Sequence, residues 1–259
     1  MGNLPPEDEQ AWLLDELGRL VELCGEDRFV NGPIVLPTNE AFPDVWTPDL
    51  QGVERVTQRI LQHVGLEGYR LRLQRFDQEQ VVDHVGTDGS AQFRHEGAAA
   101  WFAGVDGDTI WFGCAEEQIQ EAGEQLIGIM AHEVAHAWRT LHGVRVDDRD
   151  TEECLTDLTT VYFGFGIFTV NNTFRFRTFR EERGALLYSG YRYSKSGYLS
   201  PQAMSFLFAA QLSLRGLGWW KRRGLLGWLE ANQRGHVKAA LRALGPAASV
   251  RTKLGLTGV

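Results

Sequence analysis

Cysteine is scarce in this chain. The three residues, Cys24, Cys114 and Cys154, are odd in number and widely spaced, which excludes the disulfide framework of a small secreted domain. A reducing cytoplasm is the expected compartment. Long apolar runs are missing too. The richest, Val161 to Val170, is short and broken by Gly164 and Gly166, far below the roughly 18 residues that a membrane-spanning helix needs. Met1 to Glu9 holds neither a basic nor an apolar segment, so no secretory signal is expected. Pro6 stands where a myristoylation signal wants Ser or Thr. There is no surplus of positive charge either. With 26 Lys and Arg against 34 Asp and Glu, the formal net charge is −8, and a general nucleic-acid partner is not expected because phosphates are repelled on average.

What is present fits a soluble globular protein. The 259 residues are 43% hydrophobic and 23% charged, enough for one domain with a sizeable core. Residues 7–24 place Trp12, Leu13, Leu17, Leu20, Val21 and Cys24 at helical spacing, after Pro6 and before Gly25. Residues 29–48 carry Gly32 and four prolines and should be irregular. Val53, Val56, Ile60, Leu61 and Val64 mark a further helix. The period then changes: Tyr69, Leu71 and Leu73 alternate with polar residues as a strand does. Val81, Val82 and Val85 suggest another. Ala98–Val105 and Thr109–Cys114 flank Asp106-Gly107-Asp108, a hairpin signal.

Helical spacing returns over Gln125–Leu141, with Gly143 as the stop, and over Thr151–Phe163, with Thr151 as a candidate N-cap. Residues 164–198 resist assignment. Ser200-Pro201 opens a helix to about Leu214, and two short helices follow near 219–231 and 233–244. The class is α+β, with a small, mostly antiparallel sheet and a largely helical C-terminal half. A single domain over residues 1–259 is expected, with an α/β part to about 143 and a helical part from about 150.

The chemistry sits in His132-Glu133-Val134-Ala135-His136. On a helix, positions i and i+4 share a face, so both imidazoles can reach one ion. Glu133, one residue on, can take a proton from a metal-activated water and pass it to a leaving amine. The competing reading is two ordinary histidines on a half-buried helix.

This segment resembles the signature of the zincin metallopeptidases, over roughly residues 125–160. The resemblance implies a zincin-like fold, with the sheet packed on the His-Glu-x-x-His helix. It also implies one zinc ion per chain and hydrolysis of peptide or protein substrates. A catalytic zinc usually has three protein ligands and an open position, so a third ligand is required. Glu153 is favoured. Glu153-Cys154-Leu155-Thr156-Asp157 resembles the Glu-x-x-x-Asp of the gluzincin branch, which implies Glu153 as ligand and Asp157 as the carboxylate that orients a ligand histidine. Glu152 takes the ligand role if the register differs by one.

His142 stands at the metzincin spacing, but that pattern needs Gly where this chain has Arg139. Cys154 has a superficial likeness to the Glu-Gly-Cys-Leu-Ser of peptide deformylases, which in those enzymes precedes the His-Glu-x-x-His. By resemblance, Thr109–Cys114 could be the sheet edge that receives substrate; the alternative is a buried strand. Tyr188, Tyr191, Tyr193 and Tyr198 offer hydroxyls for an oxyanion, or aromatic packing. Trp219-Trp220-Lys221-Arg222-Arg223 reads as the end of an amphipathic helix rather than a nucleic-acid patch. His63, His84, His95 and His236 read as ordinary histidines. Two other functions stay open: a metal-stabilised, non-catalytic binding or regulatory module, and an amidase acting on a non-peptide bond.

Overall fold

The computed structural model describes residues 3–76, 99–120, 123–181 and 199–256. In chain order the elements begin with α1 (Glu7–Cys24), α2 (Glu26–Asn31), α3 (Leu50–Val64), β1 (Arg70–Phe76), β2 (Ala100–Asp106) and β3 (Thr109–Ala115). They continue with α4 (Glu116–Ile119), α5 (Gly123–Leu141), α6 (Arg149–Tyr162), α7 (Gly166–Glu181) and α8 (Pro201–Leu214). The last are α9 (Trp219–Gly227), α10 (Ala231–Leu244) and α11 (Ala247–Lys253). The chain is thus mostly helical with one small sheet, an α+β arrangement, and it forms two compact units: residues 38–142, and residues 1–37 with 143–259.

In the unit of residues 38–142, the strand order is β1-β3-β2. Asp106-Gly107-Asp108 makes the hairpin, and β2 runs antiparallel to β3 with Trp101 opposite Gly113 and Phe102 opposite Phe112. β1 pairs with β3 in parallel, Leu71 opposite Ile110, where a mostly antiparallel sheet was expected. The connection allows this: a parallel pair needs a crossover of a dozen residues or more, and β1 ends at Phe76 while β3 begins at Thr109. β3 is therefore the central strand, with Ile110, Phe112 and Cys114 buried. Thr109–Cys114 is not a free edge. Among the described residues, β1 and β2 are the outer strands. The strand expected near Val81–Val85 lies outside the described residues.

α5 packs on α3 and on β2. After the polar Glu124 and Gln125, Leu126–Ala135 is buried without a break, His132 and Glu133 included. Asp49 starts α3 by accepting from the Gly52 N–H at 2.7 Å. α5 ends at Leu141, and Gly143 takes a left-handed φ of 65° just beyond it. This is the conformation in which glycine costs least.

The other unit is built round α8. Every residue of α8 from Ala203 to Leu214 is buried, against α1, α2, α6, α7, α10 and α11. Ser200 caps it by accepting from the Ala203 N–H at 3.1 Å, with Pro201 in the first turn. Gln211, within it, donates to the Val161 carbonyl at 2.9 Å. Arg215, just past the helix, donates to the Phe29 carbonyl at 2.8 Å and to that of Gly32. Burial lowers its pKa to about 10.

α6 is capped by Asp148, which accepts from the Thr151 N–H at 2.9 Å; Thr151, the expected cap, lies one turn inside. α7 occupies part of the span that composition left unassigned, and α11 was not expected at all. Among the described residues, no helix is long and apolar enough to cross a membrane.

Candidate metal centre

α5 carries His132, Glu133 and His136. His132 and Glu133 are 8% and 9% exposed, and His136 is half-buried. Helical spacing stacks the two imidazoles one turn apart, with ring centroids 4.8 Å apart and planes at 83°. Such rings can turn their nitrogens to a common point.

Glu133 is held by a strand. Its Oε2 accepts a hydrogen bond from the Phe102 backbone N–H of β2 at 2.6 Å. The carboxylate also acts on its neighbour Cys114. Burial first, then the negative charges of Glu133 and Glu116, push that thiol from its ordinary 9.0 up to about 12.

α6 supplies the carboxylates. Glu153 is half-buried. One ligand atom from each of His132, His136 and Glu153 lies within 4.8 Å of the others, a group that could hold a metal ion. Two imidazoles and a carboxylate form a donor set that suits zinc, though they do not by themselves single it out.

The neighbouring candidates are engaged elsewhere. Glu152 is 3% exposed and accepts from the Val146 N–H at 3.0 Å, with the Arg145 Nε at 3.9 Å. It fastens the segment leading into α6. His142 donates through Nδ1 to the Trp138 carbonyl at 2.8 Å and stacks on the Trp138 ring with centroids 3.9 Å apart. Arg139 lies inside α5, 3% exposed, so the helix runs past the point where a metzincin would end it. Cys154 is outside the group; burial, then Asp157 and other carboxylates, raise its thiol pKa to about 12.

Asp157 accepts from the Leu199 N–H at 3.1 Å and so ties α6 to the start of α8. The tyrosines Tyr188, Tyr191, Tyr193 and Tyr198, with His84 and His95, lie outside the described residues. What sequence reasoning missed is the Phe102 amide. A backbone donor has no residue-type signature, and only the strand pairing reveals it.

Compared with known proteins, the chain matches no family model, no curated sequence and no solved structure.

Proposed function

We propose that this chain is a zinc-dependent peptidase of zincin-like fold, in which His132, His136 and Glu153 hold the metal and Glu133 is the general base. The observation that carries the reading is the mutual approach of those three ligand atoms to within 4.8 Å, with an acid placed between the two histidines in sequence. A purely structural site has no need of that acid.

The ion, when bound, supplies Lewis acidity, which brings the pKa of a water towards neutrality and polarises a substrate carbonyl. Glu133 takes a proton from the attacking water as the C–O bond forms. It then returns that proton to the amide nitrogen as the C–N bond breaks, leaving a carboxylic acid and an amine, which exchange a further proton in water to carboxylate and ammonium. The Phe102 N–H holds the carboxylate in place for both transfers. Asp157 is proposed to orient a ligand imidazole by accepting its second N–H. The substrate class is a peptide or protein, and the compartment a reducing one.

The test combines metal content with turnover. Elemental analysis of the purified chain is expected to give about one zinc per chain. Glu133→Gln should keep that metal and lose chelator-sensitive cleavage of a mixed peptide library. A folded, metal-free protein, or full cleavage by Glu133→Gln, overturns the proposal. Metal retained with no cleavage by the unmodified chain points instead to a metal-stabilised binding module.

A further inference from the structure

Between Arg215 and Leu229 the chain uses five residue types only: Trp, Leu, Gly, Lys and Arg. No Asp or Glu falls in this stretch, although the whole chain carries −8. Three of its eight tryptophans are here, and all are exposed: Trp219 at 61%, Trp220 at 78% and Trp228 at 42%. Exposed indoles so close together are unusual on a monomer, whose large apolar groups are ordinarily covered.

Their placement follows from helical geometry. α9 runs from Trp219 to Gly227, and Trp228 still has right-handed helical backbone angles. Trp220, Arg223, Gly224, Gly227 and Trp228 then fall at i, i+3, i+4, i+7 and i+8, one continuous stripe, and all are exposed. A Cβ built on Gly224 or Gly227 meets nothing within 4 Å, so the surface between the two indoles is open and low. Leu226 and Leu229, on the other side, are buried and fix the helix to its unit. Trp219 stands edge-on to Trp220 with centroids 4.5 Å apart, and the Arg223 guanidinium lies 5.4 Å from the Trp219 ring. Lys221 is exposed beside them.

We infer that this face is a peripheral docking surface for anionic phospholipid bilayers. Indoles sit at the boundary between headgroups and acyl chains, where a flat apolar ring with one N–H donor fits best. Lys and Arg beside them meet anionic headgroups, and a short helix with that composition lies in the interfacial plane. Charge complementarity selects the occupant: the patch is cationic while the chain is acidic. At physiological salt, charges more than about 8 Å from the bilayer are largely screened. The lack of Asn, Gln, Ser or Thr in the stretch leaves no uncharged side chain suited to reading bases, which disfavours sequence-specific nucleic-acid recognition. The inference stands apart from the metal centre and does not depend on catalysis.

The experiment is vesicle co-sedimentation of the full chain. Phosphatidylcholine vesicles containing about 30% phosphatidylglycerol should bind it on the order of 25-fold better than pure phosphatidylcholine, the exposed Lys221 and Arg223 contributing about fivefold each. Trp219→Ala with Trp220→Ala should cut binding by about tenfold. Neutralising the exposed Lys221 and Arg223 to Gln should remove most of the preference for anionic vesicles. Circular dichroism checks that the variants fold. Brominated acyl chains should quench tryptophan emission of the unmodified chain, a readout that needs no variant. Absence of sedimentation and quenching with anionic vesicles overturns the inference, as does undiminished binding by the folded double variant. Binding to a single-stranded oligonucleotide without binding to vesicles also overturns it and assigns the patch to nucleic acid.

Discussion

The Phe102 backbone N–H donates to Glu133 Oε2 at 2.6 Å, joining an outer strand to the acid of the His132–His136 helix. Strand pairing explains why this donor is available. The Ala115 N–H donates to the Ala99 carbonyl at 2.9 Å, and antiparallel pairs alternate between bonded and non-bonded. Ala100–Cys114 and Phe102–Phe112 are therefore non-bonded pairs. The Phe102 N–H points away from β3, where an outer strand ordinarily has no partner, and α5 supplies one.

Removing that donor tests its part in the proposed reaction. Phe102→Pro deletes the N–H at a position facing away from the ladder, where proline is tolerated in an outer strand. Phe102→Ala keeps the N–H and loses the same ring, whose centroid lies 5.9 Å from that of Phe112. Comparing the two isolates the hydrogen bond. A bond to a charged acceptor is worth about 1.5–3 kcal/mol, so kcat for the proline variant should fall a further 10- to 100-fold or so below that of the alanine variant. Zinc content should be the same in both. Equal kcat values in two folded variants would show that the amide does not position Glu133.

The ligand set can be separated by three single substitutions. Glu153→Ala should weaken zinc retention by about tenfold or more in competition with a chelator, because a donor atom is lost. His142→Ala should leave retention unchanged, since its ring is spent on the Trp138 carbonyl and indole. Glu152→Ala should keep zinc but melt at lower temperature. It orphans the Val146 N–H, at a cost of about 1–3 kcal/mol. Zinc lost from His142→Ala alone would move the third ligand to that residue.

How much of this was legible in the sequence depends on the range of each signal. The Ser200-Pro201 start, the Asp106-Gly107-Asp108 hairpin and the Gly143 stop were readable because caps and turns are set by a few adjacent residues. His132 and His136 were readable because i and i+4 share a face in any α-helix. Glu153 was separated from Glu152 by the carboxylate four residues on, since adjacent helical positions point about 100° apart. α7 was not readable: its aromatic and Arg-rich run has no apolar period to mark a face. The parallel pairing of β1 with β3 and the Phe102 bond to Glu133 were hidden for another reason. Both depend on backbone groups from distant segments, and every residue but proline carries the same donor and acceptor.

One packing contact lies inside the sheet, one residue along β2 from Phe102. Trp101 lies opposite Gly113, and a Cβ on Gly113 would stand 2.5 Å from the Trp101 ring. The indole is rigid and only 7% exposed, so it has little freedom to swing aside. Gly113→Ala should therefore destabilise the fold by about 1–3 kcal/mol, lowering Tm by roughly 2–12 °C in a chain of this size. Trp101→Ala in the same chain should relieve part of that loss. The two changes should be non-additive by about 1 kcal/mol or more, because each removes the reason for the other's cost. β2 is the strand that must give way, and Phe102 is the next residue along it. Gly113→Ala should thus also lower kcat while zinc is retained. Additive melting temperatures across the four proteins would mean that Gly113 is not there to admit the indole.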